Sequence, residues 1–149
     1  TVKPREPSTP PNLDELRALL GRPPRAFLIV RRHDANDAPW EFPSVRLPPR
    51  AAAEDALRRH CQSALGVIVD DAIPLPAFDY SHGTHVVTYL CYYCPVDCDH
   101  VLPLEYAAVR WVDQNQLAAY VIDAPGRTAI QHLPASDPKI QMRRNRSRP

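Results

Sequence analysis

"WEFPSVRLPPRAAAEDALRRHCQSALGV", residues 40–67, decides how the rest of this chain is read. Trp40 and Phe42 alternate around Glu41, and Pro43 stops the extended run because it has no amide hydrogen to give a ladder. From Ala52 to Leu65 the apolar positions change to helical spacing. Ala53, Ala56, Leu57, Cys61, Ala64 and Leu65 form one stripe. Asp55 is placed to pair with Arg58 or Arg59 on the wet side, and Gly66 is a suitable helix terminator. "VIV" at 67–69 then predicts a short strand.

Working outward, "PNLDELRALLG" predicts a helix capped by Asn12, with Leu13, Leu16, Leu19 and Leu20 as its apolar face and Gly21 as its end. "AFLIV" (26–30) is continuously apolar and predicts a central strand, followed by the polar loop "RRHDANDAP". "AFDYSH" (77–82) and "HVVTYLCYYC" (85–94) predict two strands joined by a turn at Gly83. "AAVRWV" (107–112) is a further strand, "DQNQLAAYV" a short helix capped by Asp113, and "APGRTAIQHL" a last helix. The fold class is α+β: a mixed sheet with helices on both faces, without a strict βαβ period.

The 149 residues suit one domain with a sizeable core. Glycine is scarce at 4 while proline reaches 18, more than twice its usual share, which points to extended arms beside the folded part. Residues 1–11, with prolines at 4, 7, 10 and 11, read as such an arm, 12–134 as the domain, and 135–149 as a tail. The net charge of +1 hides an asymmetry. Lys139, Arg143, Arg144, Arg146 and Arg148 give the last eleven residues +5, so the remainder carries −4. An acidic body with a basic tail suits contact with RNA or an acidic protein surface, and equally a solvated end. No apolar run approaches the ~20 residues of a membrane span. The chain starts at Thr1 rather than Met, as a fragment or a processed chain would, and shows no signal or transit peptide.

"CYYCPVDCDH" offers Cys91, Cys94, Cys98 and His100 as zinc ligands. Residues three apart in a strand point to opposite faces, however, and no second ligand pair follows at regular spacing, so buried thiols are the preferred reading. The cysteines form no disulfide-like framework, which points to a reducing intracellular compartment.

The order of strand, Trp-x-Phe-Pro turn, amphipathic helix and Gly-apolar run resembles the Nudix hydrolase superfamily, over residues ~25 to ~134. Arg59, Cys61, Gly66 and Val67 fall without a gap on the Arg, apolar, Gly and apolar positions of that family's signature, and "RWVDQNQL" (110–117) is similar to its later Trp-to-Leu joint. The resemblance implies an α/β/α sandwich with a central mixed sheet. It also implies that glutamates hold magnesium or manganese against a diphosphate. Here the departures are complete: the signature Gly is Val45, its first Glu is Ala51, and the three helix glutamates are His60, Ser63 and Ala64. An imidazole, a hydroxyl and methyl groups cannot replace carboxylates around a hard cation. Glu54 and Asp55 lie well around the helix from that face and read as solvated charges.

No metal and no other cofactor is therefore expected, and three functions stay open. The first is a catalytically inactive structural or binding subunit of an RNA-containing assembly, with other proteins and RNA as partners. Nudix-like subunits of the mitochondrial large ribosomal subunit are the similar case and imply a mitochondrial location. The second is a nucleotide- or base-binding module without cleavage, as in the C-terminal domain of adenine DNA glycosylases. There "FDYSHGTHVVTYL" is similar to a strand pair with Ser-His at its turn, here Ser81 and His82. Trp40, Tyr80, His82 and His85 are the other candidate ligand contacts, against the plainer reading as core and turn residues. The third is a hydrolase with relocated metal ligands.

Overall fold

Two long strands form the spine of the structure, a computed structural model that describes residues 13–22, 25–32, 39–97, 100–120 and 123–133. Strand β1 (Leu13–Arg22) runs parallel to β7 (His85–Pro95), with Leu13 opposite Val87 and Gly21 opposite Pro95. On the far side of β1 lie β2 (Ala26–Arg31) and β4 (Ser44–Arg46); β3 (Trp40–Glu41) and β8 (Ala108–Asp113) pair with β2. On the far side of β7 lie β5 (Ile73–Pro74) and β6 (Phe78–His82). All pairings except β1–β7 are antiparallel, so the sheet is mixed.

Helices cover both faces, as the sequence predicts. Helix α1 (Ala53–Leu65) buries Ala56, Leu57, Cys61, Ala64 and Leu65 against Leu16, Ala18, Leu20, Leu28 and Val30. On the opposite face, Leu117 of α2 (Leu117–Tyr120) and Ala129 of α3 (Ala124–Gln131) join Leu19, Phe27, Ile29 and Phe42. Gly66 ends α1 in the left-handed region at φ 68°, its amide donating to Gln62 O at 3.0 Å. Asp113 caps the single 3-10 turn before α2, and Asp123 caps α3 by accepting from the Gly126 amide.

Four sequence expectations change. The segment predicted as a helix capped at Asn12 is the central strand β1. A strand buried on both faces shows no alternation, and its leucines at 16, 19 and 20 match a helical stripe equally well. Gly21 is no helix end: a Cβ there would lie 2.7 Å from Tyr93 Cε1, so the glycine admits that ring. Residues 67–69 are extended and alternate buried, exposed, buried, yet they pair with no described strand. Arg58 replaces the ladder, donating to Val69 O and Asp70 O at 3.0 Å each. Arg58 also takes Glu54, at 3.2 Å, rather than Asp55. The proposed arm 1–11, Asn12, the tail 135–149 with its five basic residues, most of the 31–39 loop and Cys98 lie outside the described residues.

Candidate functional site

A continuous polar network crosses the end of the sheet, starting on α1 and finishing at the β6–β7 hairpin. On α1 the four positions that carry acids in the resembled signature are spread over different surroundings. His60 is half-buried, Ser63 is exposed and bonds back to His60 O, Ala64 is fully buried, and Ala51 precedes the helix. Ala64 O accepts amides from Leu104 and Glu105, so the 101–106 segment lies directly on this end of the helix. Tyr106 then puts its buried hydroxyl 2.7 Å from His60 Nε2, and the two rings meet edge to face. The same hydroxyl accepts from the Ser44 amide at 3.3 Å.

Burial sets the electrostatics here. It pushes the Tyr106 phenol up to about 12. It also lowers the His60 pKa, opposed by nearby Glu105 and helped by Arg32. A histidine held neutral by folding must be charged when the chain unfolds in acid. Its contribution is therefore complete above the ordinary imidazole value of about 6.5 and is lost as pH falls toward the depressed folded value. Melting temperature should fall more steeply below pH 6.5 in the wild-type protein than in His60→Gln. Parallel curves for the two proteins would refute the assignment.

From Ser44 the network continues through Arg32, whose Nη2 bonds the Ser44 hydroxyl and whose Nε donates to Glu41 at 2.7 Å. Glu41 in turn lies 3.9 Å from Arg17. Arg17 projects from β1 into the α3 side of the sheet and is only 3% exposed. Its Nη2 meets Asp123 at 2.8 Å and Glu15 at 3.1 Å, and its guanidinium sits 5.0 Å over the Tyr89 ring. Burial works against this charge, yet Asp123, then Glu15 and Glu41, outweigh it and raise the guanidinium pKa above its ordinary value. Nη1 of Arg17 is buried without a hydrogen-bond partner. Tyr89, itself pushed up to about 12 by burial, bonds His82 Nε2 at 2.8 Å, and the His82 ring packs at 5.0 Å on Tyr80.

Of the residues singled out from sequence, Tyr80, Ser81, His82 and His85 gather on the β6–β7 hairpin, and His82 joins the network. Trp40 lies half-buried against the α3-side core. Val45, Arg59 and Gly66 make no polar contact with the network: Val45 packs on the core, Arg59 is exposed, and Gly66 shapes the helix end. Arg17, Glu15, Asp123 and Tyr106 escaped the sequence reading. One signal was available, a lone arginine inside an apolar run. Cys91 and Cys94 face opposite sides of the sheet, each with its thiol pKa raised by burial, the former to about 12.

This architecture has known counterparts. No family model and no curated protein matches the sequence. Among solved structures, a MutT Nudix hydrolase from Burkholderia pseudomallei superposes with a TM-score of 0.72 at 17% identity, over 84% of this chain and all of that one. The fold is that of the Nudix hydrolases. A Nudix domain of Shewanella oneidensis NrtR, solved with ADP ribose, matches at TM-score 0.70 and 12% identity over 85% of this chain and 89% of its own. The C-terminal domain of mouse MUTYH, solved with human PCNA, matches at 0.64 and 18% over 82% and 87%. Within the Nudix fold of this chain, the residues present do not suit the divalent cation that the resembled signature holds. Among the described residues no three His, Cys, Asp or Glu side chains are grouped to hold a metal, and Tyr106 engages the His60 imidazole on α1.

Proposed function

We propose that this chain is a catalytically inactive Nudix-fold domain, a structural or binding subunit of a larger assembly that contains RNA. The observation that carries the reading is the α1 face: Ala51, His60, Ser63 and Ala64 bring no carboxylate, and the loop ending at Tyr106 closes over Ala64. Without clustered oxygen donors, a divalent ion cannot be held to polarise a diphosphate or activate water. The concentrated +5 charge of residues 139–149 supports RNA as the partner, and the resemblance to mitochondrial ribosomal members supports that setting.

Two measurements test this. A nucleotide panel with magnesium or manganese should give no phosphate or pyrophosphate release. EDTA-sensitive turnover would replace this reading with a hydrolase using relocated ligands. The full chain should bind RNA with an affinity falling steeply with salt, the log–log slope approaching −3 to −4 for about five single-strand phosphate contacts. Changing Lys139, Arg143, Arg144, Arg146 and Arg148 to Ala should flatten that slope, and an unaltered slope rules the tail out.

A second reading rests on a different observation. The exposed Tyr80 and His82 rings pack on each other at the β6–β7 hairpin beside Ser81, an arrangement able to stack a base and bond its edge. A nucleoside that raises the melting temperature equally with and without EDTA would favour this base-binding module.

A further inference from the structure

Arginines lying on aromatic rings recur in this protein, and two such pairs share one face of the sheet. The Arg31 guanidinium, at the end of β2, lies 4.4 Å from the Trp40 ring centroid. That of Arg110, in β8, lies 5.2 Å from the Tyr120 ring. In the antiparallel β2–β8 ladder Arg31 stands opposite Ala108 and Ile29 opposite Arg110. The two arginines are therefore diagonal neighbours, about 7–8 Å apart. Ile29 belongs to the core on the α3 side, and Trp40 and Tyr120 pack against that same core, so all four side chains lie on that face. The row reads aromatic, cation, cation, aromatic across β3, β2, β8 and α2, and β8 pairs only with β2 among the described residues.

Among the described residues no carboxylate balances the charges of this row. Arg17, Arg32 and Arg58 all have carboxylates at ion-pair distance. Arg31 and Arg110 have none among the described residues, and Nε of Arg31 is buried without a hydrogen-bond partner. Two guanidinium groups on neighbouring strands of one face, without a carboxylate partner among the described residues, favour an anion. Each guanidinium rests on a ring, and a guanidinium is a planar fork that suits phosphate as well as stacking. Unpaired bases stack on such guanidinium planes.

We propose that the row Trp40, Arg31, Arg110 and Tyr120 is a binding surface for single-stranded RNA, the guanidinium groups contacting phosphates and stacking on bases. This rests on the RNA reading above but assigns the contact to the folded body rather than to the tail.

The test is fluorescence anisotropy of a labelled single-stranded RNA on the full-length chain at several salt concentrations. Arg31→Ala/Arg110→Ala should weaken binding about tenfold and reduce the salt slope by about 1 to 2. Arg31→Lys/Arg110→Lys should keep the slope yet lose affinity severalfold, because lysine keeps the charge and lacks the plane. Arg110→Ala alone, at an exposed position, carries the test if the double variants melt early. Wild-type affinity in the alanine variants overturns the proposal; if the alanine-substituted tail variant is weakened at the same time, the tail reading survives. A weakened double variant with an unaffected tail variant gives the reverse result. Lysine variants that bind like wild type, or displacement of the RNA by polyglutamate at matched charge, would make this an acidic-protein contact and overturn it equally.

Discussion

Arg17→Ala should cost about 3–5 kcal/mol and lower the melting temperature by about 10 °C or more. The expectation follows from what the substitution leaves behind. Asp123, Glu15 and Glu41 converge on one guanidinium that is 3% exposed, so its removal strands like charges beside one another in a poorly solvated place. Asp123 also caps α3, so the loss spreads to the element that covers this face of the sheet. A double-mutant cycle separates the pair from its surroundings. Arg17→Met with Asp123→Asn should cost clearly less than the two single changes summed, since neither group is then abandoned by the other. Additive losses would mean that the ion pair contributes nothing specific.

Ala64→Glu is the second large effect, also about 3–5 kcal/mol destabilising, although it puts back a residue of the resembled metal-binding signature. Ala64 is fully buried in the α1-side core, and its carbonyl holds the 101–106 segment over the helix end. A carboxylate there must either enter the core uncompensated or push that segment away. Ser63→Glu, one residue back but exposed, should stay within about 0.5 kcal/mol of wild type. The contrast is the measurement. An unchanged melting temperature for Ala64→Glu, or one raised by magnesium, would show that this end of α1 is open.

The run from Trp40 through α1 could be read from residues 40–67 alone. The proline stop, the apolar stripe of α1 and the glycine at its end are local devices, set by dihedral preference and side-chain spacing. They appear where spacing places them; the short strand β4 just past Pro43 does not follow from that spacing, and the layered α/β/α arrangement is what the family resemblance implies. Strand β1 imitates a helix in sequence because its identity is settled by β7, more than sixty residues away, and not by its own leucines. The site divides in the same way. The missing acids are visible at once, because each signature position has a number. Tyr106, Asp123 and Glu15 come together only through folding, from the 101–106 segment, the start of α3 and β1, and no spacing rule connects them. Where Arg58 replaces a ladder at residues 69 and 70, one side chain outcompetes a pattern that alternates correctly.

The parallel pairing of β1 with β7 also bears on the birth of the molecule. Residue 13 leaves the ribosome first among the described residues, yet its partner, Val87, lies 74 positions later. A nascent chain can pair one edge of its future central strand with β2 and β4, but carries the other edge unpaired until residue 95 has emerged. Closing that long loop is a slow, late event. Any pause in translation before Pro95 should prolong dependence on chaperones, and aggregation is the expected fate of a chain that terminates there.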